Sequence, residues 1–349
     1  MIKGASLFSS AGIAETYFKK NGIDIVVANE LIPKRAELYK FFYPTTNMIC
    51  GDFTNTDIYN QVNKKIKEQK CKFLIATPPC QGMSSLGKKE YSTDKRNYLI
   101  FYAFDIIDDN DFDYILIENV PKFLKLYFPY KEKLQLLKDI VIDKYGDKYN
   151  VETYELNACD YGVPQSRPRG FIKIWKKGLS WSAPIKKERI TLREAIGDLP
   201  SLESGEDSGI KWHKAKTHNE REILAMKHTP EGCSALKNEE YFPKKQDGSP
   251  IKGFHNTYKR MKWDEPCPAR AINNGNMGGH NNVHPGRKLE DGTYSDARVL
   301  TLRELFIVSS LPPDMDLPEW CSDNLIRASI GEAIPPKFSE SIIKGINQK

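Results

Sequence analysis

The 349-residue sequence is short of the features that define several broad protein classes. No apolar stretch approaches the roughly 20 residues that cross a bilayer, so no membrane span is expected. The opening Met1-Ile2-Lys3-Gly4-Ala5-Ser6-Leu7-Phe8 lacks the apolar core and small-residue cleavage site of a signal peptide. The cysteines, at 50, 71, 80, 159, 233, 267 and 321, are odd in number and never spaced C-x-x-C. That excludes a disulfide framework or a zinc knuckle as the basis of the fold. His280 and His284 are spaced like metal ligands on a helix, but Gly278-Gly279 and Pro285-Gly286 flank them, and a loop is expected instead. No metal site is read from this sequence, and no internal repeat or low-complexity tract is found. What remains is a cytoplasmic globular protein with room for about two domains.

The chain changes character along its length. Ala5–Phe8, Ile25–Ala28, Phe73–Ala76 and Tyr114–Ile117 read as buried strands, and Asn47–Cys50 as a further short strand. Ala14–Lys20, Lys34–Phe42, Asp57–Gln69, Tyr98–Asp108 and Lys131–Lys144 read as helices between them, and Val151–Leu156 and Gly170–Trp175 as a final strand pair. Such alternation predicts an α/β fold, a doubly wound and mostly parallel sheet. Beyond Gly178 periodicity fades, and Pro, Gly, Lys, His and Asn become dense. Leu192–Leu199 and Glu220–Lys227 are short helix candidates there, and Phe338–Ile346 is a last amphipathic one. The net charge of +6 is concentrated, since residues 176–275 hold 19 Lys+Arg against 14 Asp+Glu. A basic segment of this kind points to a polyanion.

Four places carry chemistry. Residues 76–84, Ala-Thr-Pro-Pro-Cys-Gln-Gly-Met-Ser, follow the apolar run Phe73-Leu74-Ile75. Two prolines take the chain out of the sheet in a rigid, extended turn, at the end of a parallel sheet where open α/β folds place their chemistry. Cys80 is therefore the candidate nucleophile. The turn after the first strand, Phe8-Ser9-Ser10-Ala11-Gly12, is built of small residues that let a ligand approach the backbone. Glu30, 18 residues beyond Gly12, and Asp52 of Gly51-Asp52-Phe53 stand at the next two strand ends. Acids there suit the ribose hydroxyls and the amino group of an adenosine-containing cofactor. Glu118 ends the apolar strand Ile115-Leu116-Ile117, where desolvation raises a carboxyl pKa and makes it a general acid. Arg167 and Arg169, two apart on an extended segment, offer planar forks for carbonyl oxygens or phosphates.

These segments stand in the order and approximate spacing of the cytosine-C5 DNA methyltransferases. Phe8–Gly12 resembles the first family motif, Pro78-Pro79-Cys80-Gln81 the nucleophile motif and Glu118-Asn119-Val120 the Glu-Asn-Val motif. Gln165-Ser166-Arg167-Pro168-Arg169 is similar to Gln-x-Arg-x-Arg. Arg298-Val299-Leu300-Thr301-Leu302-Arg303-Glu304 resembles Arg-x-Leu-Thr-x-Arg-Glu, and Gly331-Glu332-Ala333-Ile334-Pro335-Pro336 the closing Gly-Asn-Ala-Val-Pro. The resemblance implies an S-adenosylmethionine-dependent fold that transfers a methyl group to C5 of a flipped-out cytosine and releases S-adenosylhomocysteine. Cys80 would attack C6, Glu118 would act at N3, and Arg167 and Arg169 would hold the base, Arg169 at O2. Phe8, Ser10, Gly12, Glu30, Asp52, Phe53, Pro78, Leu99 and Glu332 match cofactor positions. Gln81, Ser84, Gln165, Arg260, Arg270 and Arg303 are the expected DNA contacts.

The sequence departs from the family in three places. Ser10 and Ile13 replace glycines of the first motif, Glu332 replaces the asparagine of the closing motif, and Pro266–Ala271 lacks the threonine of a Pro-x-x-Thr segment. The division implied is a catalytic domain, 1–178 plus 322–349, and a target-recognition domain, 179–321. The expected partner is double-stranded DNA, methylated by a monomer in a restriction-modification system whose endonuclease acts separately. Two other readings are an RNA cytosine-C5 methyltransferase and a catalytically weak DNA-binding homologue.

Overall fold

The computed structural model describes residues 1–79 and 95–346. Contacts divide the chain into two compact units. The first comprises 1–157, 168–185 and 338–349, and the second 158–167 and 186–337. The sequence-based division fell elsewhere, at 178/179 and 321/322.

The first unit is built on β1 (Ile2–Leu7), β2 (Ile23–Glu30), β3 (Asn47–Cys50), β4 (Phe73–Ala76) and β5 (Tyr114–Asn119). A hairpin of β6 (Tyr127–Tyr130) and β7 (Lys133–Leu136) follows, and then β8 (Tyr149–Asn157) and β10 (Pro168–Lys176), between which β9 (Gln165–Ser166) belongs to the second unit. Seven of these form one sheet, ordered β3-β2-β1-β4-β5-β10-β8. β1 to β5 are parallel, while β10 runs antiparallel to both β5 and β8. β4 and β5 are buried throughout, which is why they read as unbroken apolar runs. The helices α1 (Pro33–Phe42), α2 (Thr56–Gln69), α3 (Leu99–Asp109) and α4 (Leu137–Tyr145) connect the strands. Pro33 opens α1, and the Asn55 side chain accepts from Asp57 N–H and Ile58 N–H to cap α2. Strand order reverses at β1/β4, the position where open α/β sheets bind ligands beyond their carboxyl ends.

Two expected helices differ. Lys131–Lys144 is the β6–β7 turn, β7 and only then α4. Lys131 and Glu132 both take positive φ, 46° and 62°, as a two-residue hairpin turn demands. Ala14–Lys20 is two short 3₁₀ pieces, Ile13–Glu15 and Lys19–Asn21. Glu15 N–H donates to Gly12 O and Phe18 N–H to Glu15 O, so that Glu15 and Phe18, three apart, are both buried.

The second unit contains α5 (Leu192–Ile196), α6 (Glu220–Lys227), α7 (Leu302–Val308) and α8 (Asp323–Glu332). It also holds β11 (Cys267–Pro268), parallel to β9. In α9 (Pro336–Ile343) the chain returns to the first unit. Most of the second unit is irregular, so many buried carbonyls have no helix or sheet partner. Arginine supplies the donors instead. Arg260 and Arg298 are wholly buried and Arg270 nearly so. The Arg260 guanidinium donates to the carbonyls of Met226, Thr229, His284, Tyr294 and Asp296. Among the described residues no helix is long and apolar enough to cross a membrane.

Candidate active site

In the first unit the chemistry-bearing residues collect at the carboxyl ends of the parallel strands. Phe8, Ser10 and Gly12, in the turn after β1, take positive φ values of 59°, 49° and 72°. The carboxylate of Glu30, the last residue of β2, is fixed at both oxygens. Ser10 N–H donates to Oε2 and Ile32 N–H to Oε1, each at 2.8 Å. Ser9 donates twice to Asn29 O, from its N–H and its hydroxyl, both at 3.0 Å. Asn29 in turn donates to Ile49 O and Gly51 O, tying the ends of β1, β2 and β3 together. Asp52 is exposed, and its Oδ1 accepts from the N–H and hydroxyl of Thr54. Phe53 is buried with its ring edge-on to Phe8, centroids 5.5 Å apart. Leu99, the first residue of α3, is half-buried.

These residues fit a nucleoside-bearing cofactor. The Ser10 hydroxyl is buried with no hydrogen-bond partner among the described residues, so its polar atom remains available. A rigid carboxylate and an aromatic pair flank the same turn.

Glu118 and Arg169 meet on neighbouring strands. β10 pairs with β5 so that Phe171 lies opposite Glu118 and Gly170 opposite Asn119. Arg169 Nε stands 2.8 Å from Glu118 Oε1, both side chains largely buried. The two opposite charges attract across the adjacent strands. Asn119 is buried, and its Nδ2 donates to Pro78 O at 3.0 Å while Oδ1 accepts from Val120 N–H. Thr77 is pinned too, its N–H donating to Leu7 O and its hydroxyl to Phe8 O. The exit from β4 is therefore tied to both β1 and β5. Cys80, Gln81 and Ser84 lie outside the described residues.

The remaining expected residues belong to the second unit. Arg167 is buried and donates to Arg270 O and Gly331 O, each at 2.7 Å. Gln165 is buried, reaching Val308 O and Ser309 Oγ with its amide nitrogen. Arg270 donates to Pro268 O and Asn281 O. Arg303 donates to Lys211 O at 3.3 Å. These guanidinium and amide groups, with Arg260, serve the framework of the unit in this arrangement. Glu332, the half-buried last residue of α8, follows Gly331, where an added Cβ would lie 2.3 Å from Ala271 O.

A family model of the C-5 cytosine-specific DNA methylase matches residues 2–348. The chain belongs to that family. The methylase is 47% identical over 349 residues to the Type II methyltransferase M1.HgaI of Avibacterium volantium, spanning 99% of this chain and 98% of that one. It is 27% identical to the Type II methyltransferase M1.HphI of Haemophilus parahaemolyticus, spanning 97% of this chain and 85% of that one. The solved structure of the Entamoeba histolytica methyltransferase EhMeth superposes with a TM-score of 0.65, covering 99% of this chain and 97% of that one. At 13% identity that likeness speaks for a shared fold alone. The protein is thus an enzyme, a DNA cytosine-C5 methyltransferase on a Rossmann-like methyltransferase fold.

Several residues of the methylase that the structure brings to this edge carry little or no signal in the sequence. Asn119 was legible as the middle of Glu-Asn-Val, but its bond to Pro78 was not. Asn29, Glu15, Tyr39 and Tyr43 carried no motif signal, because their partners lie far along the chain.

Proposed function

We propose that the methylase transfers a methyl group to C5 of a cytosine flipped out of a short, specific duplex sequence, as the modification enzyme of a restriction-modification system. The relatives named as Type II methyltransferases support the modification role. The observation that carries the chemistry is the pairing of Arg169 with Glu118, which precedes the Asn119 that holds Pro78, two residues before Cys80. A base inside the stack exposes neither C5 nor C6 to attack, so the target must leave the duplex. The Cys80 thiolate adds to C6 and forms a C–S bond. Glu118 donates to N3 and Arg169 to O2, so the displaced electron pair reaches C5 without leaving a full charge on the ring. S-adenosylmethionine, when bound by Phe8, Ser10, Glu30 and their neighbours, supplies an electrophilic methyl group. Loss of the C5 proton to water then lets the C5=C6 bond re-form and the C6–S bond break, so that Cys80 departs as a thiolate and N3 returns its proton to Glu118.

Target reading falls to the second unit. Since Arg260 and Arg270 are committed to backbone carbonyls, the exposed Lys244, Lys245, Lys252 and Phe254 are better placed to meet DNA.

The test is methyl transfer from tritiated cofactor, followed by bisulfite sequencing of DNA from a host that expresses the protein. Label is expected in duplex DNA at one recurrent sequence. Label entering only tRNA would overturn the reading. Glu118→Gln is expected to lower turnover by about 10²–10⁴-fold, the usual worth of a positioned acid, while S-adenosylhomocysteine still binds. Full turnover in that variant would remove Glu118 from the mechanism.

A further inference from the structure

Two of the left-handed positions after β1 are not glycine. Phe8 and Ser10 carry side chains at φ 59° and 49°, and an L residue enters that region at a cost on the order of tenfold in population. Some part of the fold must hold them there. The backbone of the turn is anchored in front by Ser9 to Asn29 and by Ser10 N–H to Glu30. Behind it lie two tyrosines of α1 and the residue after it. Tyr43 donates its hydroxyl to Gly12 O at 2.8 Å. Tyr39, wholly buried, donates to the carboxyl of Glu15, the last residue of the 3₁₀ turn that Gly12 opens. The rings are 4.8 Å apart, and a Cβ built on Gly12 would meet Tyr43 at 2.4 Å and Tyr39 at 2.8 Å. Glu15 is fully buried, and burial pushes its carboxyl up to about 7, despite hydrogen bonds from Ser6 and Tyr39.

We propose that Tyr43, with Tyr39 and Glu15 behind it, is a positioning residue for the cofactor: it clamps Gly12 so that Ser10 keeps its left-handed conformation and the turn stays open to a nucleoside. This rests on the cofactor reading above. It explains how a turn with a single glycine between Phe8 and Ile13 keeps three left-handed residues. Ser10→Gly would remove both the unfavourable φ and the unpartnered hydroxyl, making the clamp less necessary. The two positions are therefore coupled, although their side chains do not share a hydrogen bond.

The experiment measures S-adenosylhomocysteine binding by calorimetry in the full chain and in Tyr43→Phe, Ser10→Gly and the double variant. Tyr43→Phe loses one hydroxyl and is expected to bind about five- to tenfold more weakly, the worth of one hydrogen bond. Its KM for S-adenosylmethionine should rise with kcat unchanged. Ser10→Gly alone sets the reference affinity of a turn without that hydroxyl, and Tyr43→Phe added to it should weaken binding by less than about a further twofold. Amide exchange over residues 9–15, read by mass spectrometry without ligand, should quicken in Tyr43→Phe and slow again in the double variant. Unchanged affinity in Tyr43→Phe overturns the clamp, as does an equal loss from Tyr43→Phe whether position 10 is serine or glycine, the result of general destabilisation. If the unaltered protein fails to bind S-adenosylhomocysteine, the cofactor reading itself falls, whatever the exchange rates show.

Discussion

Cys80→Ser is expected to abolish methyl transfer, a loss on the order of 10⁴–10⁶-fold, and to leave binding of duplex DNA in place. The reason is the anion. A thiolate is both a strong nucleophile and a competent leaving group near neutral pH, and a serine hydroxyl is neither without a base beside it. Burial weakens five of the six other thiols as nucleophiles. Burial pushes the Cys71 thiol up to about 12 and raises those of Cys159 and Cys267. Cys50 shares the carboxyl edge of the sheet, but burial and the nearby Glu30 carboxylate raise its pKa as well. A duplex with 5-fluorocytosine at the target should trap a covalent adduct with the unaltered enzyme, because fluorine does not leave as the C5 proton does. Cys80→Ser should give none. An adduct that persists in Cys80→Ser would move the nucleophile to another residue.

Arg298→Met is expected to destabilise the second unit by about 3–5 kcal/mol, the cost of leaving buried charge without its partner. Arg298 is wholly buried and grips both oxygens of Glu304, at 2.8 and 2.9 Å, and Asp296 at 2.8 Å. It also donates to Leu202 O and Val299 O. Glu304 further accepts from Thr301 N–H in the capping box that starts α7, so the loss spreads to that helix. Against a total stability of about 5–15 kcal/mol, such a loss is large.

The pH dependence gives the prediction a second edge. Burial by itself would raise the Glu304 carboxyl, but Arg298 and His284 hold it at about 2 against an ordinary 4.5. Asp296 is likewise held well below its ordinary 3.8. These lowered carboxylates contribute stability that is present above their unfolded values and lost as pH falls toward 2. His284, kept neutral by burial, titrates at about 4 instead of 6.5. The unfolded chain therefore takes up that proton first, and stability also declines from pH 6.5 to 4. In Arg298→Met the stranded carboxylates gain by protonation, so the deficit should be greatest at neutral pH and shrink toward pH 4. Urea midpoints at pH 7.5, 5.5 and 4 would show this. An equal deficit at all three would mean that Arg298 acts by shape alone.

How far the chain could be read depended on whether the physics was local. Phe73–Ala76 and Tyr114–Ile117 were legible as strands because burial on both faces demands unbroken apolar side chains. α7 was missed because its signal is a Thr301–Glu304 cap within an arginine network, not a long apolar period. Arg260 and Arg270 looked like DNA-facing charges because a sequence shows charge but not burial. In a unit with little regular structure, guanidinium groups do the work that sheet partners do elsewhere.

Residue type and order alone determined the α/β class, the methylase motifs and the chemistry of a thiol, an acid and a guanidinium. Tertiary structure alone decided that Arg169 reaches Glu118 across adjacent strands, that Asn119 holds the turn leading to Cys80, and that Tyr43 braces Gly12. The first set depends on properties each residue carries with it. The second depends on distances between groups 31 to 51 positions apart, which only the folded chain brings within hydrogen-bond reach.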